Sequence, residues 1–251
     1  MPRDPRPGPP AIDVSSLTVR YGTVAALESV DFRLPAGELC GLIGVNGSGK
    51  STLFKSLMGL VAPSSGTVRL FGGGPGAARK AGRISYVPQS EAVDWDFPVS
   101  VHDVVMMGRY GHMGLSRRPA ARDKAAVAEA LGRVDLAGLA GRQIGELSGG
   151  QRKRAFVARG LAQEAGLLLL DEPFAGVDRV SERMISAVLE ELRAEGRTIL
   201  ISTHDLAGVP SLCTSALLLH RRVLATGAPS EVLTEANLAQ AFGTSHEEAG
   251  A

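Results

Sequence analysis

From Gly44 to Thr52 the chain reads GVNGSGKST, a run of glycines, one lysine and three hydroxyls with no acidic residue. Gly44, Gly47 and Gly49 let the backbone curl so that successive N–H groups can converge on a phosphate, where Cβ atoms would obstruct them. Lys50 adds a point charge for the β- and γ-phosphates, and the Ser51 hydroxyl can coordinate Mg²⁺. A helix opening here contributes its positive end. Asn46, Ser48 and Thr52 complete the candidate set of phosphate-binding positions. Taken alone, this GxxxxGKS pattern serves GTPases, small-molecule kinases and other ATPases equally.

Two further segments narrow the chemistry. Leu167 to Leu170 form an apolar run that delivers Asp171 and Glu172 to its end, the edge where ligands sit in parallel sheets. Asp171 is suited to hold Mg²⁺ through water, and Glu172 to polarise an attacking water as general base. An acidic pair at a strand end is often merely solvated; the phosphate loop gives this one a partner. The guanine-reading NKxD pattern is missing. Leu147 to Gln151 read LSGGQ, a second glycine-rich loop. Ser148 is a good N-cap, and Gly149 and Gly150 expose N–H groups at the start of a helix running on from Gln151, a ready anion site. A helix that is only capped would need one glycine, and a second would lower its stability. Two phosphate loops point to ATP held between two copies of the chain.

The elements that position these residues follow an α/β pattern. Ile12, Val14, Leu17, Val19 and Tyr21 alternate, as do Val30, Phe32 and Leu34, which predicts half-buried antiparallel strands. Leu39 to Ile43 is a strand buried on both faces. Ser51 begins a helix that Gly59 can end. From Ser100 to Leu147 the pattern turns helical, with Ser100 and Asp103 able to start a helix and Val127, Ala130, Leu131 and Val134 on one face. Parallel strands return at Leu167–Leu170 and Thr198–Ser202. The helix between them turns Ile185, Val188, Leu189 and Leu192 inward and ends at Gly196.

Composition sets outer limits. The 251 residues carry Lys+Arg 27 against Asp+Glu 26, a net charge of +1, so no basic field points to nucleic acid. Cys40 and Cys213 are too few for a disulfide framework or a structural zinc site, and read as buried apolar side chains. No apolar run approaches the roughly 18 residues of a membrane span, and MPRDPRPGPP reads as a proline-rich tail without the apolar stretch of a signal peptide. A soluble cytoplasmic protein is expected.

In this order along the chain, Tyr21, GVNGSGKST, Gln89, LSGGQ, LLLLDE with GVD (Gly176 to Asp178) and His204 resemble the ATP-binding cassette family from about Ile12 to about Gly243. The resemblance implies a P-loop NTPase cassette with a RecA-like parallel core (12–89 and 164–243), an N-terminal antiparallel β-subdomain and an inserted helical subdomain (90–163), between tails 1–11 and 244–251. It implies ATP and Mg²⁺ as cofactors and an ATP-sandwich homodimer. In that dimer Ser148, Gly149 and Gly150 of one subunit contact the γ-phosphate on Lys50 of the other. Tyr21, which could otherwise be core, would stack on adenine. Gln89 would touch Mg²⁺ and report the γ-phosphate, and His204, otherwise a helix-capping residue, would contact the γ-phosphate and orient the water. Asp178 matches the aspartate that links the two sites, although the family more often reads SALD where this chain reads AGVD.

DWDFPVSVHDVVMMGRYG and DEPFAGVD resemble the ATPases of bacterial importers for manganese, zinc or iron. By that resemblance the protein is peripheral on the inner face of the plasma membrane. Permease subunits dock near residues 90–114, around Trp95, Phe97 and Pro98, and an extracytoplasmic metal-binding receptor acts indirectly. Asp94, Asp96, His102, Asp103 and His112 are then no metal site, since cargo passes through other subunits. The alternatives are a soluble ATPase of iron–sulfur cluster assembly, or an importer subunit for another substrate such as iron chelates.

Overall fold

The computed structural model describes residues 8–89, 98–114 and 117–243, so Asp94, Trp95, Asp96 and Phe97 lie outside the described residues. Strands β1 (Ile12–Tyr21) and β2 (Val24–Leu34) pair antiparallel, and β4 (Ser65–Leu70) joins the other edge of β1. The step of three from Val14 to Leu17 interrupts the alternation; Ser16 takes φ +48° in a bulge that returns Leu17 to the buried face. Ala11 is already buried and accepts from Phe71 N at 3.1 Å, so the edge of the sheet is anchored one residue before Ile12.

The second sheet runs β5 (Ile84–Val87), β6 (Leu167–Asp171), β7 (Thr198–Thr203), β3 (Leu39–Ile43), β8 (Ser215–His220), β9 (Arg222–Gly227). All neighbours are parallel except β8 and β9. Period-two alternation splits each central strand between two cores. Leu167, Leu169 and Leu42 pack with β1, β2 and helix α1 (Lys50–Leu57), whereas Leu168, Leu170 and Ile201 pack with the helices opposite. Those helices are α3 (Val101–Met106), α4 (Ala121–Arg133), α5 (Gly149–Ala162) and α6 (Arg179–Ala194). Short helices α2 (Pro75–Lys80), α7 (Val209–Leu212), α8 (Pro229–Val232) and α9 (Glu235–Gly243) complete the chain. The architecture is the α/β one expected, a parallel core with an antiparallel sheet and an inserted helical layer.

The local signals act where the sequence puts them. Ser100 Oγ accepts from Asp103 N at 3.1 Å and opens α3, while Val127, Ala130, Leu131 and Val134 are buried together. Within the helical layer, buried Arg109 donates to Asp123 at 3.0 Å and to Ala162 O at 2.8 Å, and also pairs with Glu164. Both cysteines are buried, and desolvation pushes each thiol up to about 12, so neither forms a thiolate at neutral pH.

Candidate functional site

The turn from β3 into α1 builds the first half of the site. Gly49 caps α1 at φ +99°, with no side chain claiming the N–H groups of the first turn and no acidic residue in it. A Cβ on Gly49 would lie 2.6 Å from Leu27 Cδ2 and 2.7 Å from Ala26 O, so β2 itself requires glycine here, apart from any ligand. Arg221 N donates to Ser48 O at 2.8 Å and ties the loop to the β8–β9 turn. Ser48 is buried, and its Oγ has no hydrogen-bond partner among the described residues. Lys50 is 8 % exposed, and its ammonium donates to Gly44 O at 2.7 Å and Val45 O at 3.1 Å. Desolvation lowers its pKa even though Glu172 and Asp171 pull the other way. The loop walls a cleft of about 310 Å³ with Ala26, Gln89, Asp171 and Glu172. Free N–H groups, an ammonium and the helix end make this cleft a receptor for a polyphosphate.

The second half comes from the C-terminal edges of β5, β6 and β7. Asp171 and Ser202 are register partners on β6 and β7. Ser202 Oγ donates to Asp171 Oδ1 at 2.6 Å and accepts from Glu172 N at 2.9 Å, so one hydroxyl holds both acidic residues. Ser51 Oγ donates to Asp171 Oδ2 at 3.3 Å, and Tyr86 OH lies 3.5 Å from the same oxygen. Glu172 sits at φ +47°, a conformation that costs about 1–3 kcal/mol for a non-glycine residue. Its Oε2 accepts from Gln89 Nε2 at 2.6 Å and lies 3.6 Å from His204 Nδ1. Lys153 Nζ donates to Gln89 O at 3.0 Å. The hydroxyl of Ser51, the carboxylate of Asp171 and the amide oxygen of Gln89 are hard oxygen donors, and they fit Mg²⁺.

The fold thus brings Lys50, Ser51, Gln89, Asp171, Glu172 and His204 together across β3, β5, β6 and β7. It does not bring Tyr21, Ser148, Gly149, Gly150, Gln151 or Asp178 to the walls of the same cleft. Tyr21 is half exposed, so it is not the core residue its alternation also allowed. Ser148 Oγ accepts from Gln151 N at 3.3 Å and Gln151 Oε1 accepts from Ser148 N at 3.0 Å; α5 starts at Gly149, two residues before its expected start.

Gly149 is exposed, but Gly150 is buried, and a Cβ there would lie 2.5 Å from both Asp178 Oδ2 and Ser181 Oγ. The second glycine of LSGGQ therefore has a packing reason inside its own chain, and a capped helix can need both. Asp178 caps α6, accepting from Val180 N at 3.0 Å and Ser181 N at 2.9 Å, bonds that hold its carboxyl below the usual range. Ser202, Tyr86 and Lys153 escaped the sequence reading. The one available signal was Ser202-Thr203 ending an apolar strand beside an acidic one.

Across residues 27–175 the sequence matches the family model described as ABC transporter. The chain belongs to the ABC transporter family. Relatives extend the likeness over the whole cassette. The chelated iron transport system membrane protein YfeB of Yersinia pestis is 52% identical over 93% of this chain and 79% of its own. The manganese transport system ATP-binding protein MntA of Synechocystis is 52% identical over 92% and 90%. The zinc transport system ATP-binding protein TroB of Treponema pallidum is 46% identical over 93% and 87%. Among solved structures, an inward-facing transporter described as metal-chelate type matches with TM-score 0.82 and 30% identity over 93% of this chain and 89% of that one. As an ABC cassette the chain is an ATP-binding ATPase that drives transport. No helix among the described residues of this ABC ATPase is long and apolar enough to cross a membrane.

Proposed function

We propose that this ATPase energises a bacterial importer of divalent transition-metal ions, manganese, zinc or iron. The observation that carries the reading is the run of relatives named for manganese, zinc and chelated iron transport, 46–52% identical along 92–93% of the chain. In this reading the cargo passes through other subunits, and His102, 3.4 Å from Asp103, and His112, bonded to Gln163 O at 2.9 Å, are not metal ligands.

In this reading the loop N–H groups and Lys50 hold the β- and γ-phosphates, with Tyr21 stacked on the adenine. Ser51, Gln89 and Asp171 would hold Mg²⁺, which neutralises phosphate charge when bound. Glu172 accepts a proton from the attacking water as the water oxygen bonds to the γ-phosphorus and the bond to the bridging oxygen breaks. His204 orients that water and Gln89 links the site to the membrane partner. A second copy supplies Ser148, Gly149 and Gly150 across the nucleotide, and Asp178 links the two sites; the separation of these residues from the cleft of their own chain supports this. Permease subunits dock near 90–114. A groove of about 370 Å³ lined by Tyr86, Met107, Gly111, His112 and Arg159 supports that location. The test is cellular metal content after deletion of the gene: manganese, zinc or iron should fall and growth return on adding that metal. Unchanged content of all three would refute metal import and leave the ATPase untouched.

A further inference from the structure

Behind the catalytic carboxylate, outside the nucleotide cleft, lies a second cavity of about 140 Å³. Ile201, Val209, Leu212 and Cys213 make an apolar floor, and Phe174 forms one wall. The rim is acidic. Glu182 and Glu190 project from one face of α6, eight residues and therefore about two turns apart, and Asp205 stands on the turn after β7. Asp205 is fixed there, since its Oδ1 accepts from Ala207 N at 3.1 Å and its own N–H donates to Thr203 Oγ1 at 3.0 Å. No lysine or arginine lines the cavity, and none of the three carboxylates forms an ion pair with a described residue.

An apolar floor takes up an alkyl or aryl body, an aromatic wall receives a cation on its face, and uncompensated carboxylates at the mouth select positive charge. We propose that this cavity binds a small amphipathic monocation, an alkyl- or arylalkylammonium, with its ammonium at the Glu182, Glu190 and Asp205 rim. The position gives such a ligand a way to govern the site. Phe174 follows Glu172 by two residues, and Thr203 directly precedes His204. A molecule held between them fixes the two segments whose side chains meet at 3.6 Å, and slows turnover. This second consequence rests on the proposed roles of Glu172 and His204; the binding does not.

The experiment measures binding of phenethylammonium and its neutral counterpart 2-phenylethanol to the full chain without nucleotide, by titration of protein NMR signals. The cation should bind about threefold to fivefold more tightly, since an exposed ion pair is worth up to about that factor. The Glu182→Gln, Glu190→Gln double variant should lose most of this preference. Ser211→Trp, filling the mouth from α7, should abolish binding of both probes. Thermal melts check that both variants fold. Equal binding of the two probes, an unchanged preference in the double variant, or no saturable binding by about 10 mM overturns the site. Saturating phenethylammonium should also slow ATP hydrolysis by the wild type and leave Ser211→Trp unaffected. Binding with unchanged hydrolysis overturns only the coupling. Binding to a chain that never hydrolyses ATP would fault the catalytic reading and spare the cavity.

Discussion

Ser202→Ala tests how the acidic pair is held. The Ser202 side chain is fully buried and makes two bonds: a donation to the Asp171 carboxylate at 2.6 Å and an acceptance from Glu172 N at 2.9 Å. A hydrogen bond to a charged group is worth about 1.5–3 kcal/mol, and orphaning a buried N–H costs about 1–3 kcal/mol more. The sum, about 2.5–6 kcal/mol, corresponds in a chain of this size to a Tm at least about 5 °C lower. Ser202→Cys keeps the shape with a weak donor and should fall between. Turnover should drop further than stability, because Asp171 and the backbone of Glu172 lose a common anchor. A displacement near 1 Å at such a site costs about 10² in rate. Differential scanning fluorimetry and a phosphate-release assay read the two effects on the same samples. A Ser202→Ala protein melting within about 2 °C of wild type, with turnover inside about threefold, would refute the anchoring role.

Three other outcomes are expected. Glu172→Gln should bind ATP, hydrolyse it about 10²–10⁴-fold more slowly and accumulate as an ATP-dependent dimer in light scattering; near-wild-type turnover would remove Glu172 from the role of base. Lys50→Ala and Ser148→Arg should each prevent dimerisation alone, yet form a mixed dimer when combined, because one composite site keeps both intact halves; normal dimerisation by Ser148→Arg alone would reduce LSGGQ to a helix cap. The Asp123 carboxyl is held below its ordinary range, first by the Ala120 N–H and then by Arg109. Its contribution is therefore complete at neutral pH and lost as pH falls through the lowered value. The Tm gap between wild type and Asp123→Asn should narrow below about pH 4, and a pH-independent gap would contradict the pairing.

Much of this was legible because it is local. A leucine run with acidic residues at its end is a buried strand with a charged edge, and GVNGSGKST is a loop whose φ angles only glycine takes easily. The order of six segments along the chain predicted that Glu172, Gln89 and His204 converge, and they do meet. What escaped depends on register between strands far apart in sequence. Ser202 reads as an ordinary serine until β7 is laid beside β6 with Asp171 opposite it. The packing reason for glycine at 150 stays hidden until α6 is laid against α5. The Val14-to-Leu17 step reads as imperfect alternation until the bulge at Ser16 accounts for it.

The contact between Gly150 and the first turn of α6 constrains how this chain can drift over generations. A methyl group at 150 has no space while Asp178 and Ser181 keep their oxygens 2.5 Å from where it would sit. Asp178 cannot move or shrink without disturbing the cap of α6, so a larger side chain at position 150 would have to displace Asp178 and Ser181 together. Changes at 150 and at 181, thirty-one residues apart, are therefore coupled, and their effects should not add. The LSGGQ loop and the turn behind it are inherited as one unit.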